Sequence, residues 1–327
     1  MNRLIGRRQF LAGLAGMGLA PLLGGCARQE SLLQVGSHVW LGYEPMFLAR
    51  KQGWLDESRV RLVELPSATD SLQSLHAGRI DAAALTLDET LTARAEGLML
   101  EAILVFNYST GADVVMVRPE IETPADLAGK TIVVENSAVG ALTLMETLKL
   151  GSLSPSDVNL RYATHDAHVT VWQDGETDAV VTFEPAATRI QQEGGRRLVD
   201  SSAFPDVIVD VLAVRPEAIR EKPRALAHLV QAHFDALDFM MEKPEEAAPL
   251  LAERLQISAA DVNEAYRGIT MPGRIENIEA LSGQPAPLER TAEMLIPMLI
   301  EYGLLPDTVA AEATGLANPD FIATGNR

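Results

Sequence analysis

The chain has 327 residues, a net charge of −18, a hydrophobic fraction of 47% and a single cysteine. So negative a body repels nucleic acid and anionic membrane surfaces, which excludes both as partners. About 300 residues after an N-terminal signal are enough for two domains.

The N-terminus has the pattern of an export signal. Arg3, Arg7 and Arg8 precede an apolar stretch over residues 11–23, which is too short for a membrane span of about 20 residues. The small residues before Cys26 resemble the lipobox of bacterial lipoproteins, and the paired arginines resemble a twin-arginine export signal. We therefore predict removal of residues 1–25 and a lipid anchor on Cys26; the alternative is an ordinary signal peptide with a chance cysteine.

Short runs rich in Val, Ile and Leu then alternate with longer helical segments. This alternation predicts an α/β fold made of βαβ units, with mixed, mainly parallel sheets flanked by helices. The predicted strands are residues 33–39, 60–65, 80–85, 102–106, 114–117, 131–134, 159–162, 179–182, 197–199 and 211–214. Helical apolar spacing over residues 225–241 and 247–255 predicts helices near the C-terminus.

Two motifs occur twice along the chain. A Gly-x-x-Asp-Ala motif begins at Gly78 and again at Gly175, and an Arg-Pro-Glu motif begins at Arg118 and again at Arg215. The offset is 97 residues in both pairs. Equal offsets predict two lobes of similar construction; the alternative is that α/β proteins reuse such turns independently.

Several short motifs are shared with a known family. They are Gly42-Tyr43-Glu44-Pro45, Leu48-Ala49-Arg50, Gly53-Trp54-Leu55, Leu75-x-x-Gly78-x-x-Asp81, Asp126-Leu127-Ala128-Gly129-Lys130, Asp178-Ala179 and Phe183-Glu184-Pro185. In this order they resemble type II periplasmic binding proteins of ABC importers, most closely the binders of sulfonates, nitrate and thiamine precursors. The resemblance covers nearly all of the chain after the signal.

The resemblance implies a fold of two lobes with a ligand cleft between them. Because the chain of that family crosses between lobes twice, residues 28–109 plus 211–327 should form lobe one and residues 110–210 lobe two. The crossings place the hinge at Ser109, Asp113 and Asp210. The family also implies a monomer without cofactor, whose partners are a small-molecule ligand and an ABC permease of the inner membrane.

Ligands of open α/β sheets bind beyond the carboxyl ends of the strands. The expected ligand-binding residues are Tyr43, Glu44, Ser67, Thr69, Thr86, Asp88, Asn107, Asn136, Ser137, Asp166 and Glu184. The loops after the strands carry several carboxylates but no Arg or Lys, which favours an amine-bearing or aminopyrimidine-like ligand. We expect Glu44 and Glu184 to hold a positively polarised group from opposite lobes, with Tyr43 against its flat face.

Other functions stay open at this point. The family resemblance equally allows an alkyl sulfonate, taurine or nitrate as the ligand. A sensory binding protein or an exported enzyme could share the fold, and His165 is the candidate base for an enzyme. The spacing of His165 and His168 after a strand does not predict a metal site, and Asp88 could merely cap a helix.

Overall fold

The computed structural model describes residues 30–205, 207–306 and 313–322. The predicted export signal and Cys26 therefore lie outside the described residues. Across the described part of the chain, no helix combines the length and the apolar character needed to cross a membrane.

Eleven strands lie in the described part of the chain and form two sheets. They are β1 (Leu33–Ser37), β2 (Val60–Glu64), β3 (Ala82–Thr86), β4 (Glu101–Ser109), β5 (Asp113–Val117), β6 (Thr131–Val134), β7 (Asn159–Tyr162), β8 (Ala179–Phe183), β9 (Arg196–Asp200), β10 (Val209–Val214) and β11 (Ile269–Thr270). The sheet of the first lobe has the order β11-β4-β10-β3-β1-β2, and that of the second lobe has the order β7-β6-β8-β5-β9.

Two strands account for the connection between the lobes. β5 follows β4 along the chain but pairs antiparallel with β8 and β9 in the other sheet. β10 returns and pairs antiparallel with β3 and β4. Both strands are buried along their whole length, as expected for apolar runs in the middle of a covered sheet. The double crossing expected from the family is thus confirmed, while the predicted lobe boundaries stay a prediction.

Helices cover the faces of both sheets. They are α1 (Glu44–Lys51), α2 (Ala68–His76), α3 (Leu87–Ala95), α4 (Ala138–Leu150), α5 (His168–Gln173), α6 (Ala186–Gln192), α7 (Pro216–Glu221), α8 (Pro223–Glu242), α9 (Pro244–Leu255), α10 (Ala259–Ala265), α11 (Arg274–Leu281) and α12 (Pro287–Glu301). The C-terminal helices α8 and α9 pack beside α1, on the first lobe.

Three helices begin where a strand ends at the cleft. The side chains of Ser67, Thr86 and Ser137 cap α2, α3 and α4 by accepting a hydrogen bond from a backbone amide of the first turn. At each of these points the chain passes from a strand into a capped helix within at most three residues. This geometry places short polar side chains and helix N-termini at the facing ends of the two sheets.

Candidate functional site

Three neighbouring strands of the first lobe, β3, β10 and β4, bring together the residues of one wall of the site. Asp210 on β10 lies opposite Thr86 on β3 and opposite Asn107 on β4. The Tyr43 hydroxyl donates to Asp210 Oδ1 at 2.5 Å, and Asn107 Nδ2 donates to Asp210 Oδ2 at 2.9 Å. Trp40 Nε1 donates to Asn107 Oδ1 at 2.9 Å, which fixes the orientation of that amide. Asp210, predicted as a hinge residue, is thus the centre of a buried hydrogen-bond network.

The second lobe supplies the opposite wall. Asp113 at the start of β5 is in register with Phe183 at the end of β8. The Phe183 ring meets Trp40 edge-on at 5.2 Å between centroids and lies 5.7 Å from the His38 ring. Glu135, which directly follows β6, is also buried at this surface. Aromatic rings and carboxylates of both lobes therefore meet across the cleft.

A small cavity of about 10 Å³ lies between the walls. The first lobe lines it with His38, Trp40, Tyr43, Ala68, Thr86, Glu89 and Asp210, and the second lobe with Asp113, Glu135, Val139 and Phe183. A second cavity, also of about 10 Å³, shares the four residues of the second lobe and is completed by Ser137, Gly140, Thr143, His168, Val181 and Thr182. The two cavities together form the candidate ligand site.

The site is strongly acidic. Among the described residues that line it there are four carboxyl groups, Glu89, Asp113, Glu135 and Asp210, and no Arg or Lys. Burial raises the pKa of Asp113 to about 7, and the nearby Asp88 carboxyl adds to this shift. Burial also raises the pKa values of Glu89 and Asp210 well above their usual range. The carboxyl groups would ionise more readily beside a bound cation.

Three buried polar atoms face this site with free hydrogen-bonding capacity. Asp113 Oδ2, Glu89 Oε1 and His38 Nδ1 have no partner among the described residues. Glu89 Oε2 accepts from the Thr86 amide, so Glu89 is held in place by the cap of α3 while its other oxygen stays available. Burial lowers the pKa of His38 to about 3, which keeps its imidazole neutral. Beside the donor or cation of a ligand these two carboxyl groups would ionise, and each would then offer one acceptor oxygen.

The neighbouring histidines serve packing in this structure. His165 stacks on Phe183 with 3.6 Å between ring centroids, and burial lowers the pKa of His165 well below its usual value. His168 Nδ1 lies 3.1 Å from Thr182 Oγ1. Within the part of the chain that the structure describes, no three His, Cys, Asp or Glu side chains are placed to hold a metal ion.

Glu44 and Glu184, expected to hold a positively polarised group of the ligand, are instead paired with arginines. Glu44 pairs with Arg254 of α9 and faces a separate groove, and burial raises its pKa to about 7 although Arg254 opposes this. Glu184 pairs with Arg197 of β9 and accepts from the Thr188 amide at 3.0 Å, facing another groove. Both carboxylates thus have cationic partners, and neither lines the candidate site. Although the loops after the strands carry no Arg or Lys, Arg254 and Arg197 reach these two carboxylates from other elements of the chain.

Four other predicted residues lie at or beside the site. Ser137 lines the second cavity, and Thr69 donates to Glu135 Oε1 at 2.9 Å. Ser67 is buried as the cap of α2. Asp88 is fully buried without lining either cavity, and burial raises its pKa to about 6. Ser137 therefore lines the site, whereas Thr69 and Ser67 hold neighbouring parts of its walls in place.

Two predicted residues are displaced from the site, and several lining residues were missed. Asn136 and Asp166 are exposed to solvent. His38 and Glu135 line the cavity but were not predicted. Each is the first residue after its strand. β6 ends at Val134 as predicted, whereas β1 ends at Ser37 rather than at residue 39. Inspection of the first position after each predicted strand could have found Glu135, but not His38, which lies inside the predicted strand 33–39.

Comparison with known proteins identifies the family. A family model described as NMT1/THI5 like matches residues 41–247, which include every residue lining the first cavity except His38 and Trp40. The taurine-binding periplasmic protein of Escherichia coli (strain K12) is 24% identical over 263 residues, covering 79% of this chain and 73% of the relative.

Solved structures show the same fold. The alkanesulfonate-binding protein SsuA from Xanthomonas axonopodis pv. citri, bound to MOPS, superposes with a TM-score of 0.73 at 18% identity, covering 86% of this chain and 97% of that chain. The periplasmic aliphatic sulphonate binding protein SsuA from Escherichia coli superposes with a TM-score of 0.66 at 23% identity, covering 85% and 95%. The chain therefore belongs to the NMT1/THI5-like family and has the two-lobed fold of type II periplasmic binding proteins.

Proposed function

We propose that the chain is the exported solute-binding protein of an ABC importer, and that its ligand is a small nitrogenous organic molecule such as an aminopyrimidine or another amine. The observation that carries this proposal is the pair of unpartnered acceptor oxygens, Asp113 Oδ2 and Glu89 Oε1, in a buried cavity. A buried acceptor without a donor costs about 1–3 kcal/mol, so a ligand that donates to both is strongly favoured.

The charge of the cavity supports an amine over a simple anion. An anionic ligand would enter a space with four carboxyl groups and, among its described lining residues, no Arg or Lys. A protonated amine or amidine-like nitrogen would instead form charge-assisted hydrogen bonds, each of about 1.5–3 kcal/mol. The rings of Trp40, Tyr43 and Phe183 border the same space and suit a flat or cationic group.

A sulfonate is the second candidate ligand, because the three similar proteins described above are named for binding taurine, alkanesulfonates or aliphatic sulfonates. The capped N-termini of α2 and α4 at the cavity offer the dipole that anions prefer. Taurine and MOPS carry a basic nitrogen as well as a sulfonate. An aminosulfonate would therefore satisfy both the acidic residues and the helix ends.

Export, anchoring and a non-catalytic role complete the proposal. Relatives described as periplasmic support export, and the lipobox-like residues before Cys26 support a lipid anchor. We take the protein to be a monomer that delivers its ligand to a permease, rather than a sensor or an enzyme. The histidine expected as the base of an enzyme, His165, is stacked on Phe183 in the interior and has a strongly lowered pKa.

Calorimetry with a small panel of compounds tests the ligand class. The panel contains 4-aminopyrimidine, a primary alkylamine, a guanidine, taurine, ethanesulfonate and nitrate, each titrated into the purified chain at pH 7.5. We expect an amine-bearing compound to bind and Asp113→Asn to weaken that binding at least about tenfold, since one charge-assisted hydrogen bond is lost.

Asp166→Asn is the matched control, because it removes the same charge from an exposed position. It should bind like the parent. Binding of ethanesulfonate or nitrate in preference to every amine, or equal affinity of the Asp113→Asn and Asp166→Asn variants, would contradict the proposed ligand class.

A further inference from the structure

Glu135 makes a hydrogen bond between the two lobes. It directly follows β6 in the second lobe, and only 5% of its surface is exposed. Its Oε1 accepts a hydrogen bond from Thr69 Oγ1 at 2.9 Å. Thr69 lies in the first turn of α2, so the carboxyl group of one lobe is seated at a helix N-terminus of the other.

The N-terminus of α2 is a place where an anion is stabilised. The first amides of a helix lack partners within the helix, and the helix dipole adds a partial positive charge there. Burial raises the pKa of Glu135, while the Thr69 hydroxyl and the backbone amides of Thr69 and His165 act in the opposite direction by stabilising the ionised form. The protein thus supplies its own acidic group where a ligand sulfonate or carboxylate could otherwise be bound.

We propose that Glu135 is a specificity-determining residue, whose carboxyl group occupies the anion-binding N-terminus of α2 and thereby excludes ligands with an anionic group at that point. An incoming sulfonate would have to displace a hydrogen-bonded, buried side chain and would also meet the charge of that side chain. This inference rests on the proposed function, because it explains how a member of this family selects against a simple anion.

Glu146 provides a matched control. It lies on α4 of the same lobe and accepts a hydrogen bond from the Tyr302 hydroxyl, which directly follows α12. Glu146 is thus a second carboxylate bonded to a residue beyond its own lobe. It does not line either cavity of the candidate site. Glu146→Gln removes a comparable charge without changing the N-terminus of α2.

The experiment compares ethanesulfonate binding by the parent chain, Glu135→Ala, Glu135→Gln and Glu146→Gln, using calorimetry at pH 7.5. We expect Glu135→Ala to bind ethanesulfonate at least about tenfold more tightly than the parent does. Glu135→Gln should gain affinity as well, because it keeps the shape of the side chain but removes the charge. Glu146→Gln should behave like the parent.

Equal ethanesulfonate affinity of the Glu135 variants and Glu146→Gln, with the melting temperature of the Gln variant close to that of the parent, overturns this role. The isosteric Gln variant keeps the test decisive if Glu135→Ala does not fold. The outcome is separate from that of the amine panel: amine binding by the parent tests the proposed function, whereas the difference between variants in sulfonate affinity tests Glu135.

Discussion

Asp113 combines three properties that give the site a measurable pH dependence. It begins the strand that crosses into the second lobe, it lines both cavities, and its Oδ2 has no partner among the described residues. Burial raises its pKa to about 7, compared with about 3.9 for an aspartate in an unfolded chain. Between these two values the folded state binds more protons than the unfolded state does.

Stability should therefore fall as the pH rises through this window. The contribution of Asp113 is fully present below about pH 4 and is lost by the time its folded-state pKa of about 7 is passed. In urea unfolding, the stability of the parent relative to Asp113→Asn should decrease by about 2 kcal/mol between pH 5 and pH 7.5. His38 and His168, whose lowered pKa values act with the opposite sign, contribute to both proteins and cancel in the difference. A difference that does not change with pH would contradict this prediction.

The turn before α1 has to be made by a residue without a side chain, which is Gly42. A Cβ atom on Gly42 would lie 1.7 Å from Asn107 Oδ1 and 2.9 Å from Trp40 Nε1. These two groups are hydrogen-bonded to each other, and Asn107 also holds Asp210. The close approach of the turn to β4 is therefore what allows the network beneath the cavity to form.

Gly42→Ala should disturb both the turn and the site. Displacing the Asn107 amide from its two partners should cost about 1–3 kcal/mol, which is typical of overpacking in a core. We expect a lower melting temperature and weaker binding of whichever compound of the panel binds the parent. Unchanged melting and unchanged binding would show that the chain can relax around the added methyl group without moving Asn107.

Strand positions were predictable from sequence, and contacts between distant segments were not. All ten predicted strands are present, and seven of them are buried apolar runs; β2, β7 and β9 are partly or largely exposed. β11 was missed because two residues carry no periodic signal. Tyr43 and Thr86, predicted from the ends of the strands, line the first cavity. The ion pair of Glu44 with Arg254 joins residues 210 positions apart, and no local sequence pattern indicates such a contact.

The two crossings between the lobes are tied to each other by the hydrogen bond of the Ser109 amide to the Ile208 carbonyl, at 3.0 Å, and by the Ser201 hydroxyl group. Ser201 Oγ lies 2.8 Å from Ser109 Oγ and accepts from the Gly111 amide at 2.6 Å. Ser109 Oγ in turn accepts from the Asp113 amide at 3.3 Å. Ser109 and Asp113 were predicted as hinge residues, but Ser201 was not. We propose that Ser201 couples the two crossings so that they move together when the lobes close.

Ser201→Ala tests this coupling, with Ser202→Ala as its control. The exposed Ser202 hydroxyl donates to Asp200 Oδ1 and touches neither crossing partner. Removing the Ser201 hydroxyl leaves the Gly111 amide without its acceptor, a loss of about 1.4 kcal/mol or more for a partly buried donor. Exchange of the Gly111 amide, followed by mass spectrometry of peptides spanning residues 109–113, should become at least about tenfold faster. Ligand affinity should also decrease, because the closed state has to be reached without the tie between the crossings. Ser202→Ala should leave both measurements unchanged. Equal exchange rates in the two variants would mean that other contacts hold the crossings. Such contacts include the amides of Thr110 and Ala112, which donate to the Gly268 carbonyl.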